Sequence, residues 1–169
     1  MATHHLPILG AATLPDTSGN VYQEPAALNL QSNDRYPHLV FVFADTSTRD
    51  TLGGVFRVPQ NYVGTPKIGL CWACVPTSGD VRWEFDYTAI ADGESADPSA
   101  DQESVGATVT VPGTARLLEV TEIALTAGNF AVGDLVQFRI ARDGAQAGPA
   151  DTMAGSLYLL AAYFSYADA

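Results

Sequence analysis

The sequence predicts an all-β protein, a jelly-roll-like β-sandwich preceded by an extended, irregular N-terminal arm. Three observations lead there. Val81, Trp83, Phe85 and Tyr87 alternate with Arg82, Glu84, Asp86 and Thr88, the period of two expected of a strand with one buried and one wet face. Strand-length apolar or alternating runs recur from residue 38 to residue 167, separated by Gly, Pro, Asn and Asp, the rhythm of a sandwich or barrel. Sustained helical spacing is almost absent, and no internal repeat suggests a propeller or solenoid.

The chain divides into an arm, 1–35, and a sandwich domain, 36–169. The arm is punctuated by Pro7, Pro15 and Pro25, with Gly10, Gly19, Asn20, Asn29, Ser32 and Asn33 between them. Its apolar residues, among them Leu6, Ile8, Leu14, Val21 and Leu28, are too many for a solvated tail and are not periodic. Packing on its own domain and packing on a neighbouring subunit both stay open.

In the domain, HLVFVFA (38–44) is a continuous apolar run of strand length. TLGGVFRVP (51–59) is a second strand, with a bulge or bend expected at Gly53 and Gly54. QNYVGTP (60–66) reads as a loop. Residues 67–75 and 80–91 read as two long paired strands joined by the turn PTSG. A short strand follows at 105–112. Residues 116–126 mix helix formers (Leu117, Leu118, Glu119) with strand formers (Val120, Thr121, Ile123), and strand is favoured. After a turn at 128–134, residues 134–143 place Val136, Phe138 and Ile140 on one face and Gln137 and Arg139 on the other. A loop with Gly144, Gly148 and Pro149 leads to the last strand, 155–167. The longer crossing loops favour a jelly roll over a meander.

A chain of 169 residues can bury a core of its own. Eight basic against nineteen acidic residues give a formal charge of −11, which disfavours nucleic acid and anionic lipid. The longest apolar run, LYLLAAYF at 157–164, is of strand length and well short of a membrane helix. The N-terminal residues lack the basic start and long apolar stretch of a secretory signal. Cys71 and Cys74, three apart in a strand, face opposite sides of the sheet. They are expected as unpaired thiols of a reducing compartment.

No catalytic, cofactor or metal site is expected. Asp92, Glu94, Asp97, Asp101 and Glu103 form an acidic loop whose carboxylates could cage calcium, but Pro98 interrupts it and a solvated, mobile loop is the preferred reading. Glu84 and Asp86 share a strand face with Arg82, which suits a cross-strand ion-pair ladder better than a glycosidase pair. His4 and His5 lie in the arm and His38 is isolated, so neither a zinc set nor a triad is expected. Trp72, Trp83, Tyr87, Tyr158, Tyr163, Phe164 and Tyr166 fall on strands. Most should be core, with Trp72 the candidate for a sugar-binding or subunit-facing position.

The stretch FRVPQNYVGTPKIGLCWACVPTSGDVRWEFDYTAIADGE (56–94), followed by VGDLVQFRIARDG (132–144) and the aromatic C-terminal strand, resembles the small β-rich virion structural proteins of tailed bacteriophages. The resemblance implies a non-enzymatic capsid decoration or cement protein without cofactor. It would bind the major capsid protein or neighbouring virion proteins as a homo-oligomer, with a trimer favoured. It would reside in the virion and assemble in the host cytoplasm. The alternative is a tail- or fibre-associated sandwich module that binds host-surface carbohydrate.

Overall fold

The computed structural model describes residues 2–9, 14–15, 21–25, 38–45, 49–144 and 151–168. Eleven strands run in chain order: β1 Thr3–Pro7, β2 Leu14–Pro15, β3 Val21–Pro25, β4 Leu39–Phe43, β5 Arg49–Arg57, β6 Tyr62–Cys74, β7 Asp80–Ile90, β8 Glu103–Thr110, β9 Glu119–Ala124, β10 Leu135–Asp143 and β11 Leu157–Asp168. One 3-10 turn, Ala127–Asn129, is the only helical element among the described residues.

The strands form two antiparallel sheets. The first has the order β3-β4-β11-β6-β9, with β1 also paired to β11; the second has the order β2-β5-β10-β7-β8. β4·β11, β5·β10, β6·β9 and β7·β8 are nested pairs, each enclosing the next in sequence. This is a hairpin rolled across two layers, the jelly roll that the sequence predicts.

Side chains from the two inner faces meet in one core. Phe43, Leu70, Trp72 and Phe164 come from the first sheet, and Leu52, Trp83, Phe85 and Ile140 from the second; all are fully buried. Burying each stabilises the fold by roughly 1.5–3 kcal/mol. Trp83 stands between Phe43 and Trp72, edge-on to both, at ring distances of 5.3 and 6.3 Å. The Trp72 Nε1–H donates to Thr121 Oγ1 at 2.9 Å. Trp72 is therefore wholly core, and not the sugar-facing or subunit-facing ring considered from sequence.

β4 reads as a continuous apolar run because both of its faces are covered. Phe41 and Phe43 enter the main core, while Val40 and Val42 join Ala73 and Tyr158 in a second buried cluster on the other side of the sheet. Cys74 lies in the core and Cys71 faces outward, half-buried; both are free thiols. Burial pushes both thiol pKa values up, so neither is an activated nucleophile.

Several expectations need correction. β6 and β7 do not pair. β6 lies in the first sheet and β7 in the second, so residues 75–79 cross between layers. That crossing ends at Gly79, whose φ of 102° and contact with the Met153 backbone, 2.8 Å from where a Cβ would sit, exclude other residues. β5 pairs with β10 one-to-one from Arg49 to Arg57, so Gly53 and Gly54 make no bulge. The register shifts occur in β11 instead, between Leu159 and Ala161 and again near Ala167. β6 begins at Tyr62, inside the predicted loop 60–66, where it pairs with Asp168.

The arm is not irregular where it is described. β1 pairs with β11, β2 with β5 and β3 with β4, and Ile8 and Val21 are buried in the core. Within the described residues the arm packs on its own domain. The boundary at 35/36 and most of the 144–149 loop lie outside the described residues.

Candidate functional site: a cleft on the second sheet

The outer face of the second sheet is a grid fixed by strand register. One row reads Gly53, Arg139, Asp86 and Ser104, and the next reads Val55, Gln137 and Thr88. These are the positions that alternate with core residues along β5, β10, β7 and β8. The alternation seen in the sequence of β7 thus separates a core face from a polar face.

The β7 carboxylates of that polar face are not wet. Glu84 and Asp86 are 8% and 2% exposed. Arg49 reaches from the start of β5 and donates to both, Nε to Glu84 Oε2 at 2.9 Å and Nη2 to Asp86 Oδ2 at 2.6 Å. Arg82 lies 3.5 Å from Glu84, Arg139 lies 3.1 Å from Asp86, and Ser104 Oγ donates to Asp86 Oδ1 at 2.6 Å. Desolvation works to lower the Arg49 pKa, but the bonds to Asp86 and Glu84 outweigh it and hold the guanidinium above its ordinary value. Such a ladder is sound only because every buried carboxylate has partners. Glu84 and Asp86 share one guanidinium on one side of the sheet; they do not face each other across a substrate site.

The acidic loop, residues 91–102, folds back over this face. Gln137 Nε2 donates to the Ala96 carbonyl at 2.9 Å, Thr88 Oγ1 to the Ala100 carbonyl at 3.2 Å, and Arg139 Nη2 to Asp101 Oδ2 at 2.6 Å. The loop read as solvated and mobile is therefore a docked wall. Its carboxylates do not converge: among the described residues no three His, Cys, Asp or Glu side chains could hold a metal ion. Glu103 turns away to Tyr87 and Thr126.

Between loop and sheet lies a cleft of about 370 Å³. Gly53 and Gly54 line it on the β5 side, where the lack of side chains leaves room. Val55 and Pro98 give apolar wall; Asp101, Thr88, Gln137 and Arg139 give polar groups. The side chains of Arg139 and Asp101 are 46% and 41% exposed, so a ligand can reach both. The size and mixed lining suit a small-molecule or single-sugar subsite.

The other positions singled out from sequence lie elsewhere. Trp83, Tyr87, Phe164 and Tyr166 are core, and Tyr158 is in the second apolar cluster. Tyr163 lies on the outer face of the first sheet, flat over Gly69, where a Cβ would sit 2.1 Å from the ring. His5 stacks on Tyr163 at 4.3 Å. His4 bonds Asp168 at 2.8 Å, and His38 is exposed at the start of β4. Sequence reasoning named Asp101 only as a calcium ligand and did not mark Arg49, Val55 or Arg139 as site residues. The outward parity of Gln137 and Arg139 was the signal available; the register that sets them beside Asp86 and Thr88 was not.

No family model matches the chain, and no curated protein matches it in sequence. Solved structures do match in fold. The CBM22-1 xylan-binding domain from Paenibacillus barcinonensis Xyn10C aligns with TM-score 0.52 and 12% identity, covering 99% of this chain and 94% of that one. The arabinose-bound α-L-arabinofuranosidase MgGH51 aligns with TM-score 0.53 and 15% identity over 94% of this chain, but only 24% of the enzyme. The enzymatically active domain of the bacteriophage CBA120 tailspike protein 4 aligns with TM-score 0.46 and 12% identity, over 90% of this chain and 18% of that one. At these identities the likeness is one of fold, and the fold is a jelly-roll β-sandwich.

Proposed function

We propose that this chain is a non-catalytic β-sandwich module that holds carbohydrate in the cleft on its second sheet, carried on a virion tail or fibre. The observation that supports it most is the Arg139–Asp101 pair, half-exposed beside Val55 and Pro98 in a cleft of about 370 Å³. A sugar ring offers hydroxyls that both donate and accept, and an apolar C–H face. The cleft offers a donor, an acceptor and apolar wall within one ligand's reach. The fold shared with a xylan-binding domain adds to this reading. Shell binding as a trimeric cement protein, the leading reading from sequence, has no comparable feature behind it.

Affinity electrophoresis of the intact protein through gels loaded with single polysaccharides tests the proposal. Retardation by at least one glycan, abolished by Val55→Glu, is the expected result. Unretarded migration in every gel, together with a blank glycan array, would remove it.

A further inference from the structure

Resting on the carbohydrate reading of this cleft, we propose that the site selects uncharged glycans and rejects polyuronates and sulfated chains. The argument is one of charge pairing. Four arginines stand on the outer face of the second sheet: Arg49, Arg82 and Arg139 each lie within 3.5 Å of a carboxylate of Glu84, Asp86 or Asp101, and Arg57, outside the cleft lining, donates to the Gly133 carbonyl. Arg139, the arginine that lines the cleft, is matched by both Asp86 and Asp101. Recognition of a carboxylate or sulfate uses a guanidinium or ammonium whose charge is not already matched. Among the described residues this cleft presents none. Asp92, Glu94 and Asp97 sit in the same loop and tilt the local field negative. The whole chain, at −11, repels polyanions at longer range.

A neutral sugar fits the same groups well. Adjacent ring hydroxyls can each accept from one protein group and donate to another. Arg139 Nη2 and Asp101 Oδ2, 2.6 Å apart and both half-exposed, give a fixed donor beside a fixed acceptor. The apolar side of the ring would rest on Val55, itself 45% exposed, and Pro98. Among the described residues the cleft has no outward-facing aromatic ring. Affinity then depends on hydrogen bonding with aliphatic contact, and loss of either partner of the pair should be felt strongly.

Titration calorimetry of the whole protein tests this. The neutral probes are mixed-linkage β-glucan, arabinoxylan and galactomannan; the acidic ones are polygalacturonate, alginate and chondroitin sulfate. The expected result is binding to at least one neutral glycan that is insensitive to added salt, with no heat from the acidic ones. Arg139→Gln and Asp101→Asn should each weaken that binding about tenfold or more, the effect of losing a hydrogen bond to a charged group. Their melting curves should show both variants folded; if one fails to fold, Val55→Glu at an exposed position makes the same test. Binding of an acidic glycan that fades with salt would overturn the selectivity while leaving the carbohydrate reading in place. Neutral binding that all these variants leave untouched would move the ligand out of this cleft and overturn the inference. Silence with every probe would overturn the carbohydrate reading itself.

Discussion

Two arginines three residues apart on β10 do opposite things. Arg142 has the parity of Phe138 and Ile140 and turns into the sandwich, opposite Trp83 on β7. It is 2% exposed. It grips Asp151 through Nε and Nη2 at 2.7 and 2.9 Å, and donates to the carbonyls of Met153 and Gly155 at 2.7 and 2.6 Å. Arg139 has the other parity and turns out to the cleft, where its side chain is 46% exposed between Asp86 and Asp101. The same side chain is a plug for the end of the core in one place and a cleft-facing donor in the other. The difference is strand parity and water access, not residue type.

That contrast can be broken from either end. Arg142→Leu leaves Asp151 buried without its charge partner. The expected loss is about 3–5 kcal/mol in urea unfolding, with glycan affinity of the folded fraction unchanged. The double variant Arg142→Leu/Asp151→Leu should recover part of that loss, because an apolar pair replaces an orphaned charge. The two core tryptophans make a smaller version of the comparison. Trp72→Phe forfeits a buried bond to Thr121, whereas the Nε1 of Trp83 has no hydrogen-bond partner among the described residues. Trp72→Phe should therefore cost about 1 kcal/mol more than Trp83→Phe in the same assay. Arg139→Gln should change stability by no more than about 1 kcal/mol, as for half-exposed ion pairs, while cutting glycan affinity.

The smallest effect concerns pH. Glu103 accepts from the Tyr87 hydroxyl and, at 2.6 Å, from Thr126 Oγ1. Desolvation would raise its pKa, but these bonds prevail and hold it below the ordinary 4.5. Its stabilising contribution is thus complete above pH 4.5 and disappears as pH falls through the lower, folded-state value. Acid unfolding of Glu103→Gln should begin from a lower neutral-pH stability and show a flatter acid limb. An unchanged limb would mean that Glu103 carries no linkage.

Much of this was legible because parity is local. Val81 to Tyr87 and Val136 to Ile140 show their inward faces in the order of the letters, and all eight predicted strands from residue 38 onward are present. What was not legible is non-local. A short turn such as residues 76–79 joins two strands of one sheet or two strands of facing sheets with equal ease, so the assignment of β6 and β7 to one pair failed. A Gly-Gly step marks a bulge or an open cleft wall, and only the neighbouring strands decide which. The acidic loop looked solvated because its anchor, Arg139, lies 38 residues beyond Asp101. The proline-spaced N-terminus looked irregular because its strands are short and borrow their hydrogen bonds from β11, β5 and β4.

The nested pairing sets an order of assembly. Of the pairs β4·β11, β5·β10, β6·β9 and β7·β8, only the innermost joins strands adjacent in sequence. Each pair further out waits for a strand made later, and the loop to be closed grows with each step. The twelve residues of β11 complete the first sheet by pairing with β1, β4 and β6 at once. During synthesis β1, β4 and β6 therefore lack their β11 neighbour until the chain has emerged past residue 168. The molecule is a latch that closes last, when β11 docks, and slow closure is the kinetic signature of that design.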